Sequence, residues 1–154
     1  TPTEEQFEKK FKNIFRDIYK NGNDVRALDL IKHAQTQKHG TMIVFSDHAE
    51  QECIRLNNIG YRICCNNSID LKFIEQITSI DGSIFVSPSG VILGMGIVLD
   101  GESCDECEID NSRGSRYNSA IKYTYSRSVE GEICIAIVIS EDKDINIIVN
   151  GKQK

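Results

Sequence analysis

Five short runs of apolar, largely β-branched residues frame this chain: 41–46, 83–87, 91–99, 132–140 and 145–149. Each is far shorter than the ~18 apolar residues that a membrane-spanning helix requires. Ile and Val lose side-chain freedom in a helix and pack well on a pleated surface, so such runs read as buried strands. A shorter strand fits residues 61–65. Segments of helical period lie between the runs. The alternation predicts an α/β or α+β fold, a twisted mixed sheet flanked by helices.

The helices have local signals. Thr3 and Gln6 form a capping-box pattern, and Phe7, Phe11, Ile14, Phe15, Ile18 and Tyr19 recur at helical spacing up to Asn21-Gly22. This N-terminal amphipathic helix is expected to pack on the domain's own sheet; the alternative is a partner helix or an oligomer contact. A second helix is expected over 24–38, with Val25, Leu28 and Ile31 on one face and Gly40 beyond its end. Asp47, with Glu50 three residues on, reads as the cap of a third helix closed by Gly60. A fourth starts at Ser68 and runs through Leu71, Ile74 and Ile77. A fifth, capped by Asn111 or Ser112, carries Arg116, Tyr117, Ile121 and Tyr125. Pro88-Ser89-Gly90 makes 83–99 a hairpin, and 141–144 joins a second one. Gly94 and Gly96 lie inside a strand with no helix after it, which argues for close backbone approach or a bulge rather than a dinucleotide loop.

At 154 residues the chain is expected to be a single domain, 1–154, with a helix over 1–22 and a core over 25–150. A chain of this size buries roughly 70% of its unfolded surface without staples. It has no initiator Met, so it reads as part of a longer protein. The acidic start Thr1-Pro2-Thr3-Glu4-Glu5 lacks the apolar core of a signal peptide, which points to the cytoplasm. Eighteen basic against 23 acidic residues give a net charge of -5, which argues against nucleic-acid binding. The charge is uneven. Residues 100–110 hold six acids and no base, whereas 112–128 hold Arg113, Arg116, Lys122 and Arg127 and no acid. Such blocks are either solvated faces or a local anion site. Of the six cysteines, Cys53 and Cys134 sit in apolar patterns and read as small hydrophobes in a reducing compartment. Cys104 and Cys107 have the spacing of half a zinc site. The adjacent Cys64-Cys65 is a poor second half, and the acidic linker is a poor place for a redox pair.

Three polar clusters fall at the ends of these elements. Asp81-Gly82-Ser83 precedes a strand, Arg113-Gly-Ser-Arg-Tyr-Asn-Ser119 opens a helix, and Ser140-Glu141 ends a very apolar strand. Each alone is explained by a turn or a cap. Together they hold the parts of a phosphate site. Gly114 and Ser115 expose backbone N–H groups at a helix start, Arg116 offers a planar cation, and Asp81 and Glu141 are hard oxygen ligands for Mg²⁺ or Mn²⁺.

These pieces, with the hairpin Phe85-Val-Ser-Pro-Ser-Gly-Val-Ile-Leu-Gly94 and Val138-Ile-Ser-Glu141, occur in the order seen in the diadenylate cyclase (DAC) domain. That family is typified by the N-terminal domain of the DNA-integrity scanning protein, and the chain resembles it over about residues 25–150. The resemblance implies condensation of two ATP into cyclic di-AMP with release of two pyrophosphates, using Mg²⁺, Mn²⁺ or Co²⁺. It implies that Asp81, in a place matching an Asp-Gly-Ala motif, binds metal and helps activate the ribose 3′-hydroxyl. Gly82 and Ser83 follow it in the nucleotide site. Gly114, Ser115 and Arg116 match the start of a Gly-Thr-Arg-His-Arg motif that holds the triphosphate, with Arg116 counted as catalytic. Glu141 matches a Val-Ser-Glu motif near metal and phosphate. The product is two-fold symmetric, so a dimer or higher oligomer of the chain itself is implied.

The chain departs from the family where Arg-His-Arg becomes Arg116-Tyr117-Asn118. Losing a charged phosphate contact costs about 1.5–3 kcal/mol. Tyr117 and Asn118 then stand in nucleotide-binding positions, and Arg113 is a potential substitute cation. The alternative to the cyclase is a catalytically silent nucleotide-binding sensor of the same fold. A third reading is a nucleotidyltransferase with altered base or product choice, through stacking on Tyr117.

Overall fold

A computed structural model describes residues 3–56, 61–62, 82–102 and 105–154. The expected helix from Ser68, its neighbours Gly60, Cys64 and Cys65, and the residues Asp81 and Cys104 lie outside the described residues. The elements are α1 (Glu4–Ile18), α2 (Asp24–Gln35), β1 (Thr41–Phe45), α3 (Ala49–Leu56), β2 (Tyr61–Arg62), β3 (Ser83–Val86), β4 (Ile92–Ile97), α4 (Ser115–Val129), β5 (Ile135–Ile139), β6 (Ile145–Val149) and β7 (Lys152–Gln153). The strands form one mixed sheet in the order β2-β4-β3-β1-β5-β6-β7. β1 and β3 pair in parallel, and the remaining pairs are antiparallel.

The central strands are apolar on both faces because both faces are covered. One face, with Ile43, Phe45, Ile84, Val86, Ile135, Ile137 and Ile139, packs against α1 and α2. The other, with Met42, Val44, Phe85, Ala136, Val138 and Ile148, packs against α3 and α4. The fold is therefore a three-layer arrangement of helices, sheet and helices.

α1 forms as its sequence dictates. Thr3 Oγ1 accepts from the Gln6 N–H at 3.2 Å, and Gln6 Oε1 accepts from the Thr3 N–H at 2.8 Å. Phe11 and Phe15 are fully buried, and their rings lie 5.9 and 5.7 Å from that of Phe45 on β1. The aromatic stripe thus packs on the chain's own sheet. Tyr19 caps the helix and its hydroxyl donates to the Phe45 and Ile133 carbonyls, both at 3.0 Å. Burying one such ring contributes about 1.5–3 kcal/mol. Ion pairs Arg16–Asp24 (2.8 Å) and Lys32–Glu8 (2.7 Å) tie α1 to α2.

α2 departs from expectation on one face. Ala27, Leu28, Leu30, Ile31 and Ala34 are buried, while Val25 is 58% exposed. Small alanines let α2 approach the sheet, and Val25 falls on the far side of that face. α2 also stops at Gln35 rather than Lys38. β7, which the sequence reading lacks, is only two residues long and pairs with the end of β6.

The hairpin β3–β4 is bulged, with register shifts around Phe85. A Cβ on Gly94 would lie 2.6 Å from Cys53 Sγ on α3, so this glycine permits close approach of helix and strand. Under α4 lies a polar cluster. Glu52 is 3% exposed and accepts from Tyr123 Oη at 2.6 Å and from Arg55 at 2.7 and 2.9 Å; Arg127 Nε lies 3.3 Å away. Burial pushes the Glu52 carboxyl up, but hydrogen bonds from Arg55 and Tyr123 outweigh it and hold the group below its ordinary value. Arg55 reaches on to Asp100, and Arg127 to Glu132. The thiol of Cys134 is buried beside this cluster, and that burial pushes its pKa up to about 12. Its burial suits it to packing as a small hydrophobe.

Candidate functional site

The pairing register sets which element ends meet. Ile43 lies beside Ile84 on β3 and beside Ile137 on β5. With β3 parallel and β5 antiparallel to β1, the starts of β1 and β3 and the finish of β5 share one end of the sheet. Ser140 and Glu141 leave the sheet at that end. The turn after β5 is tight: Ser140 N–H donates to the Asp144 carbonyl at 2.9 Å, and Asp144 N–H donates to Ser140 Oγ at 3.1 Å. Glu141 is thereby held at the exposed tip of a hydrogen-bonded turn.

α4 begins at the same end. Its N-cap is Gly114 rather than Asn111 or Ser112, and no side chain caps it. Asn111 and Ser112 instead form a turn, in which the Asp110 carboxylate accepts from the Ser112 N–H (3.0 Å) and hydroxyl (2.6 Å). A helix supplies no acceptor to the N–H groups of its own first turn, and its dipole adds positive potential there. Among the described residues, no atom beyond Gly114 and its chain neighbours lies within 4 Å of the point a Gly114 Cβ would occupy. Arg116 turns toward the sheet: its Nη1 would be 3.1 Å from a Cβ on Gly40, the residue before β1.

Between these parts runs a groove of about 1060 Å³. Gly114, Ser115, Arg116 and Tyr117 line it from α4, and Ser140 and Glu141 line it from the β5–β6 turn. The opposite wall comes from α1 and α2, including Glu8 and Lys32. Five of the residues singled out from the sequence, Gly114, Ser115, Arg116, Tyr117 and Glu141, therefore share one groove. Asp81 lies outside the described residues.

Three other expected site residues, Gly82, Ser83 and Asn118, do not line the groove. Ser83 is fully buried and its hydroxyl donates to the Ile97 carbonyl at 2.8 Å, inside the β3–β4 hairpin. Gly82 has φ +101° and packs on Gly96, where a Cβ would come within 2.6 Å of backbone. Neither lines the groove. The Asn118 side chain accepts from the Asp110 N–H at 3.0 Å and donates to the Asp110 carbonyl at 2.8 Å, so it clips the loop to the helix. Tyr117 is only 8% exposed, packs in the core on the α3–α4 face of the sheet, and donates from Oη to Gln153 Oε1 at 3.1 Å. Its ring carries the Arg113 guanidinium, 4.3 Å from the ring centroid. That stacking leaves little of the ring for a base.

The sequence reading missed the α1–α2 wall and the lysines Lys143 and Lys154 of the groove. No local pattern marks them, because tertiary packing alone brings them there. Among the described residues no three metal-ligating side chains gather together. Glu141, with Asp142 and Asp144 on the same turn, offers hard oxygen donors to the groove. Mg²⁺ bound with a nucleotide commonly uses one or two carboxylates and takes its other ligands from phosphate and water. The donor set fits that kind of site and not a cage made by protein alone.

No helix among the described residues is long and apolar enough to cross a membrane. No curated protein matches the chain in sequence. Among solved structures, the fold is similar to that of a double mutant of DacA from Staphylococcus aureus, with a TM-score of 0.62 at 19% identity over 85% of each chain. It is also similar to a hypothetical membrane spanning protein from Bacillus cereus, with a TM-score of 0.56 at 19% identity, covering 82% of this chain and 59% of that one. The family model described as "DisA bacterial checkpoint controller nucleotide-binding" matches residues 29–153. That span takes in the whole sheet, α3, α4 and both polar ends of the groove, so the chain belongs to this DAC nucleotide-binding family.

Proposed function

We propose that the chain is a diadenylate cyclase domain. The observation that carries the reading is the shared groove, where the uncapped start of α4, Arg116 and Glu141 converge at one end of the sheet. Polyphosphate seats against the N–H groups of Ser115 and its neighbours, and Arg116 neutralises charge on its oxygens. Asp81 and Glu141 would hold Mg²⁺ or Mn²⁺, which supplies further charge neutralisation on the triphosphate when bound. Asp81 orients the ribose 3′-hydroxyl and draws its proton. The 3′-oxygen of each ATP forms a bond to the α-phosphorus of the other, the bond from that phosphorus to the β-phosphate oxygen breaks, and pyrophosphate leaves. Two such steps give cyclic di-AMP, so two grooves face each other across a two-fold axis.

Mass spectrometry of products after incubation with ATP and Mn²⁺, beside an Asp81→Asn control, tests this. Cyclic di-AMP from the parent and none from the control is the expected result. Binding of ATP with no cyclic product would favour a catalytically silent sensor. One observation favours that second reading. Asn118 is committed to Asp110 and Tyr117 to Gln153, so neither directly replaces the charges of the family's Arg-His-Arg motif.

A further inference from the structure

We propose that Arg113, stacked on Tyr117, is a phosphate-binding residue of this groove and restores a cation at the triphosphate. The inference rests on the nucleotide site proposed above and names a residue that the family motif does not contain. Arg113 precedes the motif by one residue; its sequence position makes it a potential substitute cation, and the structure supplies the geometry.

The geometry gives it a defined place. The guanidinium carbon lies 4.3 Å from the centroid of the Tyr117 ring. That ring is a fixed platform: Tyr117 sits in the first turn of α4, is 8% exposed, and is anchored through Oη to Gln153 on β7. The base of Arg113 is fixed as well, since its N–H donates to the Asp110 carbonyl at 3.0 Å. A guanidinium stacked over an aromatic face keeps its N–H edges in plane and available to an anion.

Its charge reaches Asp110, whose carboxyl the Ser112 hydrogen bonds and, less strongly, Arg113 hold below the ordinary value, but it is not closed into an ion pair. No described carboxylate forms an ion pair with Arg113. The nearest acid in sequence, Asp110, has its carboxylate bonded to Ser112. Arg113 and Arg116 both line the groove. Arg116 lies toward Gly40 and the sheet, and Arg113 lies toward Tyr117, with the open Gly114 between them in sequence. Two planar cations thus flank the start of α4, the arrangement suited to a polyphosphate spanning that start.

In this chain Tyr117 therefore serves as a support, not a base-stacking surface. The residue that departs from the family motif holds the cation that compensates for the departure.

The test is calorimetric titration of the whole chain with ATP and, separately, with tripolyphosphate, alongside thermal melts. Arg113→Ala is expected to weaken both ligands about 10- to 100-fold, the loss of one charge-assisted contact. Arg113→Gln, which keeps the stem over the ring, is expected to weaken them equally and controls for folding. Tyr117→Leu is expected to weaken them less, and to add little in combination with Arg113→Ala, because it acts through Arg113. A lower melting temperature with unchanged affinity in both Arg113 variants would overturn the inference and leave the pair as a loop clip. Failure of the parent to bind either ligand would overturn the nucleotide site itself, and this inference with it.

Discussion

Single atoms decide several positions in this molecule, and Gly94 is the sharpest case. A methyl group there meets Cys53 Sγ at 2.6 Å, and Cys53 is 1% exposed. Gly94→Ala is expected to cost about 1–3 kcal/mol, the range for overpacking a core. Urea unfolding checks this, and Cys53→Ala in the same chain is expected to recover part of the loss. Gly114→Ala should stay within about 1 kcal/mol, since the space beside Gly114 is empty and no side-chain cap is lost. The legibility of the site follows the same logic. Ser115, Arg116 and Glu141 sit at element ends, and a strand or helix end leaves a local mark in sequence. Ser83 and Asn118 looked equally suitable by type. Their polar atoms are consumed by Ile97 and Asp110, partners 14 and 8 residues away, and no local spacing shows such a commitment. The Arg113 stack is of the intermediate kind: the two residues are one turn apart, but only the fold shows that the ring is anchored.

At the level of elements, α1 was readable to the residue at its start because a capping box and an aromatic stripe are both local. Its target, the domain's own sheet, was the expected one, and the rings of Phe11 and Phe15 against Phe45 are what exclude a partner helix for that face. Phe11 shows what the choice of target is worth. It is fully buried and contacts the rings of Phe7, Phe15 and Phe45. Phe11→Ala is expected to cost about 3–5 kcal/mol, measured as a fall in the denaturation midpoint. α3 and α4 are joined differently, through charge. Glu52 and Asp100 are both held below their ordinary carboxyl values, Glu52 despite its burial and Asp100 chiefly by its hydrogen bond from Arg55. A carboxyl depressed in the folded state binds its proton more readily when unfolded. Its contribution is therefore fully present above the unfolded value, near 4.5 for Glu52, and is lost as pH falls through the lower folded value. Glu52→Gln is expected to be less stable than the parent at pH 7 by about 1–3 kcal/mol, reflecting lost charge-assisted bonds. The gap should narrow below pH about 4.5. An equal gap at pH 7 and pH 3 would show that packing, not charge, joins these helices.

The cyclase activity proposed above makes one further demand, at the scale of the whole molecule. The groove lies at one end of one sheet, and the parts proposed to hold phosphate, the α4 start and the β5–β6 turn, come from a single chain. A cyclic dinucleotide needs two attacks in opposite directions, each 3′-oxygen on the other nucleotide's α-phosphorus. If each chain positions one ATP, the two bonds are made in two grooves, and both must be competent before the ring closes. Mixing then has a definite signature. With excess Asp81→Asn chain, parent chains pair mostly with inactive ones, and such a pair makes one bond but not the second. Cyclic product per parent chain should fall as the variant is added, and linear dinucleotide triphosphate should accumulate in its place. Dilution of the parent alone should lower turnover per chain below the dimer dissociation constant while ATP binding per chain stays constant. Product chromatography on the mixtures, with sedimentation at the same concentrations, reads both effects. Cyclic product that is unchanged by the inactive chain, with sedimentation showing mixed dimers, would mean that one groove closes the whole ring. The two-fold arrangement would then have no part in the chemistry.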